Sequence, residues 1–107
     1  MKTATQLRDE SLQQVEDNAN AAWTTLVIQL IKDKALESAT LTSDDIWLKL
    51  ENYPDITTHQ PSAMGAMFKA ASHLNMIVAT DRFVASKRPS SHARPIRVWQ
   101  SKFLEGN

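Results

Sequence analysis

The sequence predicts an α+β fold in which three helices precede a pair of strands. Apolar side chains recur at helical spacing through residues 20–74, whereas residues 76–99 contain two short runs with β-branched side chains. The chain has 107 residues, 42% of them hydrophobic, which is ordinary usage for one globular domain. We therefore expect a single hydrophobic core.

The main core helix is predicted by the most regular apolar pattern in the chain. This pattern repeats at i, i+3, i+4, i+7 and i+8 and comprises Trp23, Leu26, Val27, Leu30 and Ile31. Asn18 or Asn20 can cap the start of this helix, which we expect to end near residues 36–38. Residues 5–17 predict a separate short helix. The expected organisation is an N-terminal helical extension over 1–19, a domain over 20–101 and a C-terminal tail over 102–107.

Two further helices follow. Thr42 and Ser43 precede Asp44 and Asp45, a pattern typical of a capped helix start. Pro54 should stop that helix near residue 52. A third helix is expected over about 61–74, with an inner face formed by Met64, Met67, Phe68, Ala71 and Leu74. Its central glycine, Gly65, is expected to pack closely against the second helix, and close approach to a ligand is the alternative explanation.

The C-terminal part changes to a strand pattern. Residues 76–79 and 96–99 predict two antiparallel strands, and residues 80–95 between them predict a long basic loop. This order of elements is typical of a winged helix-turn-helix fold, with a three-helix core plus a two-stranded β-wing.

Charge is divided along the chain although the formal net charge is zero. Residues 1–60 hold five Lys or Arg against ten Asp or Glu, whereas residues 61–107 hold seven against two. A basic C-terminal half that faces a polyanion is the interpretation we favour, and chance clustering is the alternative.

The predicted function is binding of double-stranded DNA. The third helix would enter the major groove and the basic loop would contact phosphates. Ser62, Ala66 and His73 are the candidates for facing base edges. The candidates for neutralising phosphates are Lys69 on the helix and the loop cations Arg82, Lys87, Arg88, Arg94 and Arg97.

Several segments together resemble a group of small bacteriophage and prophage proteins. These are residues 42–47, 64–67 and 74–77, and above all the His-x-Arg-Pro-x-Arg-Val-Trp block at residues 92–99. The resemblance covers about 90 residues. It implies a winged-helix fold and an origin in a phage or mobile element, without an established activity. These relatives often carry Arg in the third helix, where this chain has only Lys69.

Other classes of function are not supported by the sequence. We find no catalytic constellation, no Gly-rich phosphate loop and no cofactor motif, so an enzyme is not expected. Cysteine is absent, and His59, His73 and His92 lack metal-ligand spacing, so no metal site is expected. No signal peptide or membrane span is recognisable. A cytoplasmic location is expected, in the host cell if a phage encodes the protein.

The sequence leaves open two alternatives, one for the function and one for the oligomeric state. The first is a protein-interaction module that binds and modulates a host or phage nucleic-acid enzyme, favoured by the exposed alanines and the scarcity of arginine on the third helix. The second is a homodimer formed through Leu7, Leu12 and Val15 of the N-terminal helix, which would double the DNA contacts.

Overall fold

A computed structural model describes residues 4–58 and 61–104 of the chain, and the side chains from Ala21 onward. This part is an α+β fold with three α-helices and a three-stranded antiparallel sheet. The elements in chain order are α1 (Ala4–Glu37), β1 (Thr40–Leu41), α2 (Ser43–Leu50), α3 (Ala63–His73), β2 (Ile77–Ala85), a 3₁₀ helix (Pro89–Ser91) and β3 (Pro95–Ser101).

The hydrophobic core forms where the three helices meet one face of the sheet. The predicted stripe on α1 is confirmed, because Trp23, Val27, Leu30 and Ile31 are buried and Leu26 packs beside them. The other helices and strands complete the core with Leu41, Ile46, Leu50, Met64, Phe68, Ala71 and Ile77. Trp99 of β3 is half-buried, with its ring centroid 5.6 Å from that of Phe68.

The first helix differs from the prediction at its start. α1 is continuous from Ala4 to Glu37, so Asn18 and Asn20 do not cap a new helix and the expected separate N-terminal helix is wrong. The helix also crosses the boundary predicted at residues 19–20. Its end at Glu37 is as expected. The proposed dimer contacts of Leu7, Leu12 and Val15 lie outside the described side chains, so the dimer stays a prediction.

The start of α2 is fixed by the predicted capping residues. The Asp45 carboxylate accepts the backbone N–H of Thr42 at 2.8 Å, which is half of a capping box. The Asp45 N–H in turn donates to the Thr42 carbonyl at 3.1 Å. α2 ends at Leu50, two residues before the expected position, and residues 51–58 form an irregular connection towards α3.

α3 is shorter than predicted at both ends, and Leu74 is exposed rather than buried. Leu74 is exposed because of the hydrogen bonds that end the helix. The Met76 N–H donates to the Ala71 carbonyl and the Asn75 N–H to the Ser72 carbonyl, each at 3.0 Å. This is a Schellman motif, with Asn75 in the left-handed region at φ 61°. The reversal turns Leu74 away from the core.

Gly65 does not have the packing role that was predicted for it. A Cβ atom at this position would meet no other atom within 4 Å, so α2 does not approach it closely. Gly65 lies on the exposed side of α3. The intrinsic cost of a glycine within a helix is therefore not offset by close helix packing.

The sheet has one strand more than the predicted pair. β1 pairs with β3, so the strand order is β1-β3-β2 and β3 lies in the centre. The antiparallel pairing of β2 with β3 is confirmed. The sheet is fixed to α1 by Ser101, whose hydroxyl donates to the Ala35 carbonyl at 2.5 Å and whose N–H donates to the Ala39 carbonyl at 2.8 Å.

The segment predicted as a long basic loop, residues 80–95, is mostly ordered as a hairpin. β2 continues to Ala85, and the turn from 86 to 94 contains the 3₁₀ helix. The turn closes with a 2.8 Å hydrogen bond from the Ser86 N–H to the Arg94 carbonyl. Residues 81–85 are exposed, so they lack the alternation of apolar and polar residues that marks a half-buried strand. That is why the sequence did not reveal the strand.

Candidate nucleic-acid interface

The candidate residues on α3 share one exposed face. Ser62, Ala66, Lys69 and His73 are spaced i, i+4, i+7 and i+11 and are all exposed. The opposite side of the helix is buried through Met64, Phe68 and Ala71. Because that buried side fixes the rotation of α3, these four candidates face away from the core together.

Three hairpin cations are also exposed. Arg82 lies on β2 and Lys87 and Arg94 lie in the turn that connects β2 to β3. α3 leads directly into β2 through residues 74–76, so the helix face and the hairpin are consecutive in the chain. The nine predicted residues thus form two groups, one with Ser62 at the N-cap of α3 and three residues on that helix, the other with five residues in the hairpin.

The other two hairpin arginines are held against aromatic rings. The guanidinium carbon of Arg88 lies 4.4 Å from the centre of the Trp47 ring, and that of Arg97 lies 4.8 Å from the centre of the Phe83 ring. Arg97 also donates to the Thr80 carbonyl. Both arginines are half-buried. The ring contacts and the partial burial therefore hold both guanidinium groups in place.

The hairpin turn is attached to the start of α2 by one carboxylate. Asp44 accepts the Ser86 hydroxyl at 2.8 Å and the Lys87 N–H at 2.7 Å, so each of its oxygens has a partner from the turn. Ser86 is only 5% exposed. The sequence predicts Asp44 only as part of a capped helix start, because bonds to a turn more than 40 residues away have no local sequence signal.

The charge pattern favours an anionic ligand for the C-terminal part. Between residues 61 and 104 the only acidic residue is Asp81, against seven Lys or Arg. Asp81 lies on β2 of the hairpin itself, and Asp44 of α2 is hydrogen-bonded to the turn. The positive charge of the exposed hairpin cations is thus little compensated within their own segment.

A feature that sequence reasoning missed is a cleft of about 760 Å³ beside the hairpin turn. Its lining includes Trp47 of α2, Tyr53 and Pro54 of the connection after α2, and the turn residues Lys87 and Arg88. The cleft depends on the path of an irregular connection, which periodicity does not predict.

Comparison with protein-family models, with curated proteins and with solved structures gives no match. The resemblance to phage proteins therefore stays a prediction. Within the described residues, no helix is long and apolar enough to cross a membrane. The same part of the chain contains no group of three or more His, Cys, Asp or Glu residues placed to hold a metal ion; His59 lies outside it.

Proposed function

We propose that the protein binds double-stranded DNA as a winged helix-turn-helix, with α3 in the major groove and the hairpin on the adjacent backbone. The observation that carries this proposal is the set of exposed cations on α3 and the hairpin, in a segment whose only carboxylate up to residue 104 is Asp81. These cations are Lys69, Arg82, Lys87 and Arg94.

The exposed face of α3 suits close approach to a duplex. Gly65 and Ala66 are exposed and carry little or no side chain, so the helix backbone can approach base edges without a steric barrier. Ser62 and His73 lie at the two ends of this face, where both can hydrogen-bond to bases or phosphates. With Lys69 as the only cation of the helix, most of the affinity is expected to come from the hairpin.

Contacts with α2 fix the position of the hairpin turn and of its charged residues. The bonds from Asp44 to Ser86 and Lys87 and the stacking of Arg88 on Trp47 hold the turn against α2. A preordered turn loses less conformational entropy when Lys87 and Arg94 bind phosphates than a mobile loop would lose. In this proposal the biological role is that of an accessory or regulatory protein, and the phage or mobile-element origin rests on the sequence resemblance alone.

The test is fluorescence anisotropy of a labelled random blunt duplex, titrated at several salt concentrations. Three to five phosphate contacts predict that log affinity falls with log salt at a slope of roughly −3 to −4.5. A variant with Lys87 and Arg94 changed to Ala should lose most of the binding. Absence of binding at low salt, or binding that salt does not weaken, would contradict the proposal.

A second candidate is a protein-interaction module, favoured by apolar side chains on the outer hairpin. Phe83 is 53% exposed and Val84 46% exposed, although both are large and hydrophobic. A tagged protein that recovers one stoichiometric protein after nuclease treatment, and loses it when Phe83 and Val84 are changed to Ser, would support this candidate. Unchanged recovery by that variant would exclude these side chains as the contact.

A further inference from the structure

The cleft beside the hairpin turn combines exposed aromatic surface with cations. Tyr53 is 41% exposed and lines the cleft, as does the half-buried Trp47. Trp23 supports Trp47 from the core, with ring centroids 6.2 Å apart. The volume of about 760 Å³ lies within the range of about 300–1,000 Å³ found for small-ligand sites. The cleft is therefore large enough for a planar ring.

The cations of the cleft lie on the hairpin side. Lys87 is exposed, and the guanidinium carbon of Arg88 lies 4.4 Å from the centre of the Trp47 ring. A cation–π contact does not use the N–H groups of the guanidinium as donors to an acceptor atom, so they can still donate to a phosphate. The lining of the cleft thus combines aromatic surface with two phosphate donors.

Three carboxylates also line the cleft, and two of them accept hydrogen bonds from neighbouring residues. Asp44 has both oxygens bonded to the turn, and Asp45 is bonded to the Thr42 N–H. Glu51 lies at the other end of α2 from Asp44 and is exposed, so solvent screens it. Hydrogen bonding leaves the negative charge of Asp44 in place but occupies both of its oxygens, so the free charged donors next to the hairpin turn are those of Lys87 and Arg88.

We propose that this cleft takes an unpaired nucleobase, which stacks on Tyr53 while Lys87 and Arg88 bind the neighbouring phosphates. The inference rests on the proposed DNA binding and adds a preference for duplexes that carry a single-stranded end. Aromatic surface for bases combined with cations along the backbone is how proteins commonly bind single strands. A proline-rich peptide is the other ligand that aromatic grooves accept, but it would not use the two cations.

The experiment compares two labelled duplexes of identical sequence, one blunt and one with a short thymine overhang, by anisotropy at one salt concentration. The overhang should tighten binding about tenfold, the contribution expected of one stacked base. Tyr53→Ala should remove this gain and leave the affinity for the blunt duplex unchanged, which also shows that the variant is folded. Tyr53→Phe should keep the gain.

A matched control is Phe103→Ala, since Phe103 is 43% exposed and does not line the cleft. It should keep the full gain from the overhang.

Equal affinity for the two duplexes, or a gain that survives Tyr53→Ala, would overturn the inference while duplex binding itself stands. If the blunt duplex does not bind but oligothymidine binds in a Tyr53-dependent way, the duplex proposal fails and the base site stands. Tyr53-dependent binding of a polyproline peptide without any overhang gain would overturn the base site in favour of a peptide groove.

Discussion

The Ser86 hydroxyl donates a 2.8 Å hydrogen bond to the Asp44 carboxylate, which joins the hairpin turn to the first turn of α2. The second Asp44 oxygen accepts the Lys87 N–H at 2.7 Å. Hydrogen bonds to a charged acceptor are stronger than neutral ones, and Ser86 is buried. The position of the proposed phosphate-binding turn therefore depends on a residue of α2.

A double-mutant cycle measures this connection. Asp44→Ala and Ser86→Ala should each lower the free energy of unfolding by about 1–3 kcal/mol, because each leaves a partner without its hydrogen bond. The double variant should be less destabilised than the sum, with a coupling energy of about 1–2 kcal/mol in urea denaturation. Asp55→Ala, which removes an exposed carboxylate from the connection, is the control and should cost no more than about 0.5 kcal/mol. Strict additivity of the two single changes would contradict the connection.

Gly65→Ala should stabilise the protein. The added Cβ meets no atom within 4 Å, and alanine is favoured over glycine within a helix by about 0.8–1.0 kcal/mol. Thermal or urea unfolding measures the gain, and Ala66→Gly, at the neighbouring exposed position, should lose a similar amount. If Gly65 approaches DNA closely, Gly65→Ala should also weaken duplex binding while it raises stability. Destabilisation by Gly65→Ala would show that the glycine is packed after all.

The C-terminal end of α3 depends on a residue that tolerates positive φ. Asn75 has φ 61° in the Schellman motif, and a residue with a Cβ and no local polar group is disfavoured there by about 1–2 kcal/mol. Asn75→Ala should therefore destabilise by about 1 kcal/mol, whereas Asn75→Gly should be neutral or stabilising. Equal effects of the two changes on the urea midpoint would indicate that the side chain, not the backbone angle, is what matters.

The salt dependence of DNA binding should report the hairpin cations directly. Changing Lys87 and Arg94 to Ala removes two proposed phosphate contacts, which should make the slope of log affinity against log salt less negative by about 1.8. Lys32→Ala with Lys34→Ala removes the same charge from α1 and is the control. The control should change the slope by much less. Equal changes in both variants would assign the effect to net charge rather than to contacts.

The helices could be predicted because the apolar residues on the buried face of each helix recur at helical spacing. The stripe from Trp23 to Ile31 and the inner residues Met64, Phe68 and Ala71 are buried as expected. The prediction was wrong for the start of α1, because the spacing of apolar residues does not show where a helix begins. Asn18 and Asn20 suggested a helix start, but capping residues are also tolerated inside a helix, and α1 continues through them.

The sheet and the cleft were less predictable because they depend on distant contacts. β1 has only two residues and is a strand through its pairing with Gln100 and Trp99, far along the chain. The outer half of β2 is exposed and gives no alternation. The candidate cations could be listed from composition, but the stacking of Arg88 on Trp47 and the bonds of Asp44 to the turn require the fold.

β2 forms an edge of the sheet, and an open edge is a template on which another strand can add. This edge is broken in the middle, because its register with β3 shifts between Ala79 and Phe83. At the break, the Arg82 N–H donates to the Thr80 hydroxyl at 3.1 Å, the Thr80 carbonyl accepts from Arg97, and two exposed charged side chains follow each other. A bulged, charged edge resists uninterrupted pairing, so the nine-residue strand offers a growing aggregate only short separate stretches of free backbone.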